Sequence, residues 1–195
     1  MADKDEIRSA ILEAAIDRFL HYGYGKTTMS EIARDCNMST GNLYRFFESK
    51  LDIAEAMAHK ADKENQALLA AVARRPGVGA EERLRDMLFS ALRKTYAELE
   101  EDPNIFEIAQ IISKERPQYA NEKLAQERAF LSEVLSSGVA AGDFDIDDVV
   151  FAAEMIQSAT MKFKYPQLHS KLTLDRLERE LEGVLHLLLN GLRAR

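Results

Sequence analysis

Between Thr28 and Lys50 the chain gathers side chains suited to gripping a polyanion and reading the edges of bases. Arg45 can form a bidentate pair with a guanine edge and Asn42 with an adenine edge. Thr40 and Gly41 are small enough to let a backbone approach a thymine methyl. Thr28 and Lys50 each fall at an expected helix N-terminus, where free N–H groups and the helix dipole favour a phosphate, and Tyr44 adds a phenolic donor. Ser39 completes this set as the N-cap of the helix that carries it. The arrangement predicts phosphate contacts from Thr28, Tyr44 and Lys50, with base reading by Thr40, Gly41, Asn42 and Arg45.

Such a set works only if a rigid scaffold presents it. Thr28 followed by Glu31 has capping-box spacing and opens a short helix that turns Ile32, Ala33 and Cys36 inward. Asn37 tolerates the left-handed region and ends that helix. Ser39 then starts a second short helix anchored by Leu43 and Phe47. Ala33 lets the two helices approach and Met38 plugs the corner, which is the layout of a helix-turn-helix. An ordinary bundle would explain Leu43 and Phe47, but not polar Thr40, Asn42 and Arg45 grouped beside them.

From Ile7 to Met57 the sequence resembles the TetR family of regulators. The resemblance rests on Thr27-Thr28, Ile32-Ala33, Leu43-Tyr44-Arg45-Phe46-Phe47 and Ser49-Lys50, with Asn37 at the turn where the family usually has Gly. It implies an N-terminal DNA-binding domain (1–50) and a larger ligand-binding and dimerisation domain (51–195). It also implies a homodimer formed through the last two helices, a small-molecule effector held between helices four to eight, repression as the default, and an inverted-repeat operator on double-stranded DNA.

The remaining periodicity reads as all-α, with about nine helices and almost no strand signal. A first helix carries Ile7, Ile11, Ala14, Ala15 and Phe19 up to Gly23 and Gly25. A long fourth helix from about Lys50 to Val72 joins the two domains, and Arg74 to Gly79 break it. Helices follow over Leu84–Leu99, Ile105–Ile112 after Pro103, Pro117–Gly138, Asp147–Phe163 and, beyond Pro166, Leu174–Leu192. Apolar and aromatic positions in this half, among them Phe89, Tyr96, Phe106, Phe151 and Met155 with Gln110 as a polar handle, are candidates to line an effector pocket. The scarcity of charge on the sixth helix points to an apolar or amphipathic effector.

Composition narrows the alternatives. The 195 residues are 46% apolar with a net charge of −7, so phosphate binding must be local. Gly23 to Leu51 carries four cations and three anions, and the rest of the chain is correspondingly acidic. Cys36 stands alone, which excludes an intrachain disulfide and suits a reducing cytoplasm. No membrane span or signal segment is expected. His21, His59, His169 and His186 lie far apart, and no phosphate loop or nucleophile elbow occurs. Neither an enzyme nor a cofactor is therefore expected.

Overall fold

The computed structural model describes residues 3–102, 104–164 and 172–193. Ten helices occur among them: α1 (Lys4–Tyr22), α2 (Met29–Asp35), α3 (Thr40–Leu43), α4 (Lys50–Ala73), α5 (Ala80–Glu101), α6 (Asn104–Glu115), α7 (Pro117–Ala141), α8 (Val149–Ala159), α9 (Met161–Lys164) and α10 (Leu174–Leu192). The only β pairing among the described residues is an isolated bridge between Phe144 and Arg193. No described helix is long and apolar enough to cross a membrane. The expected roles of Pro103 and Pro166 lie outside the described residues.

One helix more than expected arises because the segment predicted over 147–163 divides at Thr160. Its buried hydroxyl donates to the Ile156 carbonyl at 2.8 Å and its backbone turns to φ −101°, ψ 5°. A hydroxyl competing for a helical carbonyl in this way loosens the ladder locally.

The chain forms two compact units, Met1–Glu64 with Glu98–Asn121, and Asn65–Ala97 with Glu122–Arg195. In the first, Ile11, Ala15 and Phe19 of α1 meet Ile32 and Ala33 of α2, Leu43 and Phe47 around α3, and Ile53 of α4. Ile108 and Ile112 of α6 belong to the same core. This accounts for the apolar face of α6 without an effector: one helical turn apart, the two isoleucines are buried in the helix-turn-helix core.

The second unit is built on α10, whose Leu177, Leu181, Leu185 and Leu189 are buried at four-residue intervals against Leu84, Leu88 and Leu92 of α5, Leu131 and Leu135 of α7, and Ile156 of α8. Ion pairs flank α10: Arg85 with Glu182, and Arg93 Nε with Glu178 at 2.6 Å. Gly138 of α7 is obligatory here, because a Cβ would lie 2.3 Å from the Phe144 ring. Phe144 itself is buried in the turn that leads to α8.

Candidate nucleic-acid interface

The capping box at α2 forms as the spacing predicts. Thr28 donates its N–H and its hydroxyl to Glu31 Oε2 at 2.9 and 2.8 Å, and its Oγ1 accepts from the Glu31 N–H at 3.3 Å. These bonds hold the Glu31 carboxyl below its ordinary range. Arg18 of α1 lies against Glu31 and Asp35 at 3.6 and 3.0 Å, so the acidic residues of α2 are already partnered. Asn37 takes φ 52°, the only non-glycine positive φ among the described residues. Asn does what Gly does at such a turn, because its short side chain tolerates the left-handed region.

Ser39 caps α3, its Oγ accepting from the Asn42 N–H at 3.2 Å. Leu43 and Phe47 are buried, and this pins the segment to the core. The opposite side is open. Gly41, Tyr44 and Arg45 are exposed, and Thr40 and Asn42 half-buried. A Cβ added at Gly41 would meet nothing within 4 Å. Among the described residues, no side-chain partner holds Arg45. The base-reading candidates thus share one short, capped segment whose outward side chains are unspent. That segment is four residues of α-helix followed by a turn through Phe46, shorter than a helix reaching Phe47.

Lys50 opens α4, the helix N-terminus expected of it, and its ammonium turns back onto the loop before α2. Its ammonium donates to the carbonyls of Tyr24 and Thr27 at 2.6 and 2.7 Å and lies 4.1 Å from the centre of the Tyr24 ring. Partial burial pushes its pKa down, partly offset by Glu107 and Glu31. Two of its three donors are therefore engaged within the protein, tying the loop between α1 and α2 to the start of α4. Cys36 is half-buried at the end of α2, and desolvation raises its thiol pKa, which disfavours the reactive thiolate.

Two further residues secure this loop. Glu107 of α6 accepts the N–H groups of Tyr24 and Gly25, both at 3.2 Å, and Asn104 Nδ2 donates to the Leu20 carbonyl at 2.6 Å. Arg116, just after α6, donates to Asp52 and Glu55 of α4 at 3.0 and 3.2 Å. Sequence reading missed these because their partners lie 61 to 84 residues away. The one local signal is the pair of glycines, Gly23 and Gly25, whose missing side chains admit the Glu107 carboxylate.

The six effector-pocket candidates are divided between the two units. Phe106 (half-buried) and Gln110 (exposed) lie in the first unit, whereas Phe89, Tyr96, Phe151 and Met155 lie in the second. Phe89 is buried, with the guanidinium groups of Arg85 and Arg93 5.6 and 5.5 Å from its ring centre. Tyr96 packs against the core. Phe151 and Met155 point outward, 57% and 41% exposed, alongside Val150 at 61%. Among the described residues no cluster of His, Cys, Asp and Glu could hold a metal ion.

Two family models match the chain: "Bacterial regulatory proteins, tetR family" over residues 11–57 and "Tetracyclin repressor-like, C-terminal domain" over residues 80–185. The HTH-type transcriptional repressor BepR of Brucella suis is 36% identical over 73 residues, 37% of this chain and 35% of BepR. The match thus spans about a third of that relative's length. SmeT, the repressor of the Stenotrophomonas maltophilia multidrug efflux pump SmeDEF, has the same fold, with a TM-score of 0.73 at 18% identity, covering 99% of this chain and 93% of SmeT. So does FadR from Bacillus subtilis in complex with stearoyl-CoA, with a TM-score of 0.68 at 23% identity, covering 94% of this chain and 98% of FadR. The N-terminal and C-terminal matches together cover most of the chain, in the order that the capped helix-turn-helix and the helical second unit require, and the chain belongs to the TetR family.

Proposed function

We propose that this protein is a sequence-specific transcriptional regulator, a repressor that binds an inverted-repeat operator as a homodimer and leaves it when a small, mainly apolar effector binds. One observation carries the DNA reading: Arg45, Asn42, Thr40 and Gly41 sit together on a capped segment whose base is locked into the core while its outward side chains have no competing partner. Thr28, Ser39, Tyr44 and Lys50 surround it as the phosphate-side contacts. Lys50 has one ammonium proton left for that purpose, and Thr28 must share its donors with Glu31. The protein works in the cytoplasm, where its DNA lies.

The exposed apolar side chains Val150, Phe151 and Met155 of α8 and Leu187 of α10, the last 73% exposed, support dimerisation through these helices. Phe151 and Met155 then serve the interface and not the effector. Residues 1–50 act as the DNA-binding domain and 51–195 as the effector and dimer domain. Phe89 and Tyr96 mark the apolar part of the second unit, where the effector belongs. Family relatives named as repressors, and one crystallised with an acyl-CoA, support an effector with an apolar body. Because α4 begins in one unit and ends in the other, the effector shifts the dimer population away from a spacing that matches successive major grooves, about 34–36 Å apart.

Selection of bound duplexes from a random library by the full-length chain tests the reading. An enriched inverted repeat whose affinity falls steeply with salt is expected. Arg45→Ala should relax preference at its base by about 1–3 kcal/mol. No enrichment at low salt, with or without acyl-CoA, overturns the DNA reading in favour of a helical adaptor.

A further inference from the structure

The sequence gives Arg8 no role. It lies near the start of α1, on an exposed part of the helix and far in sequence from every base-reading candidate. In the fold its guanidinium reaches the end of the recognition segment: Nη1 donates to the Phe46 carbonyl at 2.5 Å, and Cζ lies over the Phe47 ring, 4.0 Å from its centre. Phe47 is 2% exposed, so the face that Arg8 covers belongs to the core anchor.

We propose that Arg8 is a positioning residue for sequence recognition: it fixes the C-terminal end of the segment that carries Asn42 and Arg45, and with it the angle at which they meet base edges. The inference rests on the DNA-binding reading above and goes beyond it, because Arg8 reads no base itself. Ser39 fixes one end of the segment through the Asn42 N–H, and Leu43 fixes its middle through burial. Downstream of Leu43 the chain leaves regular helix and runs as a turn through Phe46, so carbonyls there lack continuing helical partners. A cation at that end meets the negative pole of the turn, and the planar guanidinium satisfies a carbonyl and covers a ring at once. Without it the segment keeps its N-terminal cap and its Leu43 and Phe47 anchors but loses the tie on the Phe46 carbonyl, so the backbone between those anchors can shift. A small shift of that backbone spoils a bidentate pair, whereas non-specific phosphate contacts tolerate it.

An exposed arginine on a DNA-binding unit has one rival role, a direct phosphate contact, and the two differ in their salt signature. The experiment uses the full-length chain with the duplex it selects from a random library and a scrambled duplex of equal length, comparing wild type, Arg8→Ala and Arg8→Met. The Met variant keeps an apolar stem over Phe47 and guards against a general loss of fold. Positioning predicts about a tenfold loss on the selected duplex, little change on the scrambled one and an unchanged salt slope. It also predicts faster amide exchange in residues 43–47 of the free protein, with the amides of α2 unaffected. Equal losses on both duplexes with a slope smaller by about one make Arg8 a phosphate contact and overturn the proposal, as do unchanged affinity and exchange. If wild type selects no duplex, the DNA reading fails by itself, and the exchange measurement still decides whether Arg8 holds the segment.

Discussion

Replacing Glu107 by Ala removes a carboxylate that holds two consecutive amides of the loop between α1 and α2. Hydrogen bonds to charged groups contribute about 1.5–3 kcal/mol each when well formed. Both bonds here are 3.2 Å long, at the outer edge of good geometry. Gly25 is exposed and Tyr24 half-buried, so water takes over much of the lost interaction. The pair together then contributes about 1–2 kcal/mol, a factor of about 5–30 in the local opening equilibrium. Amide hydrogen exchange of the full-length chain reads this directly. Tyr24 and Gly25 should exchange faster by that factor, while the Gly23 amide, bonded to the Phe19 carbonyl at 3.0 Å, serves as an internal control. Glu107→Gln keeps one acceptor and should recover about half the protection in free-energy terms. The Lys50 ammonium, which Glu107 helps to keep protonated, should titrate lower still in the Ala variant. Unchanged exchange at both amides would refute the reasoning, as would uniform acceleration throughout the unit, since that reports global destabilisation and not a lost local tie.

Gly138→Ala should destabilise the second unit although Ala is the better helix former. A gain of about 1 kcal/mol in propensity meets an overpacking cost of about 1–3 kcal/mol or more, because the new Cβ would lie 2.3 and 2.6 Å from Phe144 ring atoms and 2.9 Å from the Ala80 Cβ. A lowered urea midpoint is expected, and a raised one sinks the argument. Acid should weaken the fold through Glu81, Glu133 and Glu182. Hydrogen bonds from Arg193, Arg74 and Arg85 respectively depress their pKa values. A depressed folded-state value means that the stabilisation is complete above the unfolded glutamate value of about 4.3 and disappears as pH falls through the lower folded values. Melting temperature should therefore decline below about pH 4.3, and Glu182→Gln should flatten that decline. Phe151→Asp should raise the dimer dissociation constant about 30-fold or more by sedimentation. A variant that stays dimeric at the same concentration moves the interface off this face of α8.

Local chemistry is what the sequence made legible. The Thr28–Glu31 box, the Asn37 turn and the Ser39 cap are each written within four residues, and each forms where its spacing says. Leu43 and Phe47 stand out as anchors because they are apolar in an otherwise polar stretch. Periodicity shows that a helix has a buried face but not what it is buried against. The apolar face of α6 therefore read as part of an effector pocket, whereas Ile108 and Ile112 complete the core of the first unit. For the same reason Phe151 and Met155 looked interior: an apolar side chain on a helix can face a core or a second subunit with equal propriety. Lys50 shows a further limit, since a lysine that opens a helix carries no local sign that its ammonium will turn back onto the carbonyls of Tyr24 and Thr27. Arg8 and Glu107 have partners 38 and 83 residues away, beyond any pattern of spacing.

The first unit is not contiguous in the chain, and its biogenesis is ordered as a result. Residues 1–64 leave the ribosome with the grooves for Ile108 and Ile112 vacant, and the stretch 65–97 must be synthesised before α6 can fill them. At about 5–20 residues per second the nascent helix-turn-helix waits on the order of seconds with apolar surface uncovered. Each missing isoleucine is worth about 1.5–3 kcal/mol of burial, a large share of what a unit this small can muster. A truncated chain ending after α4 therefore makes a poor minimal DNA-binding fragment. Excising 65–97, joining Glu64 to Glu98 through a flexible linker and ending the chain after Asn121 is the better way to isolate that activity.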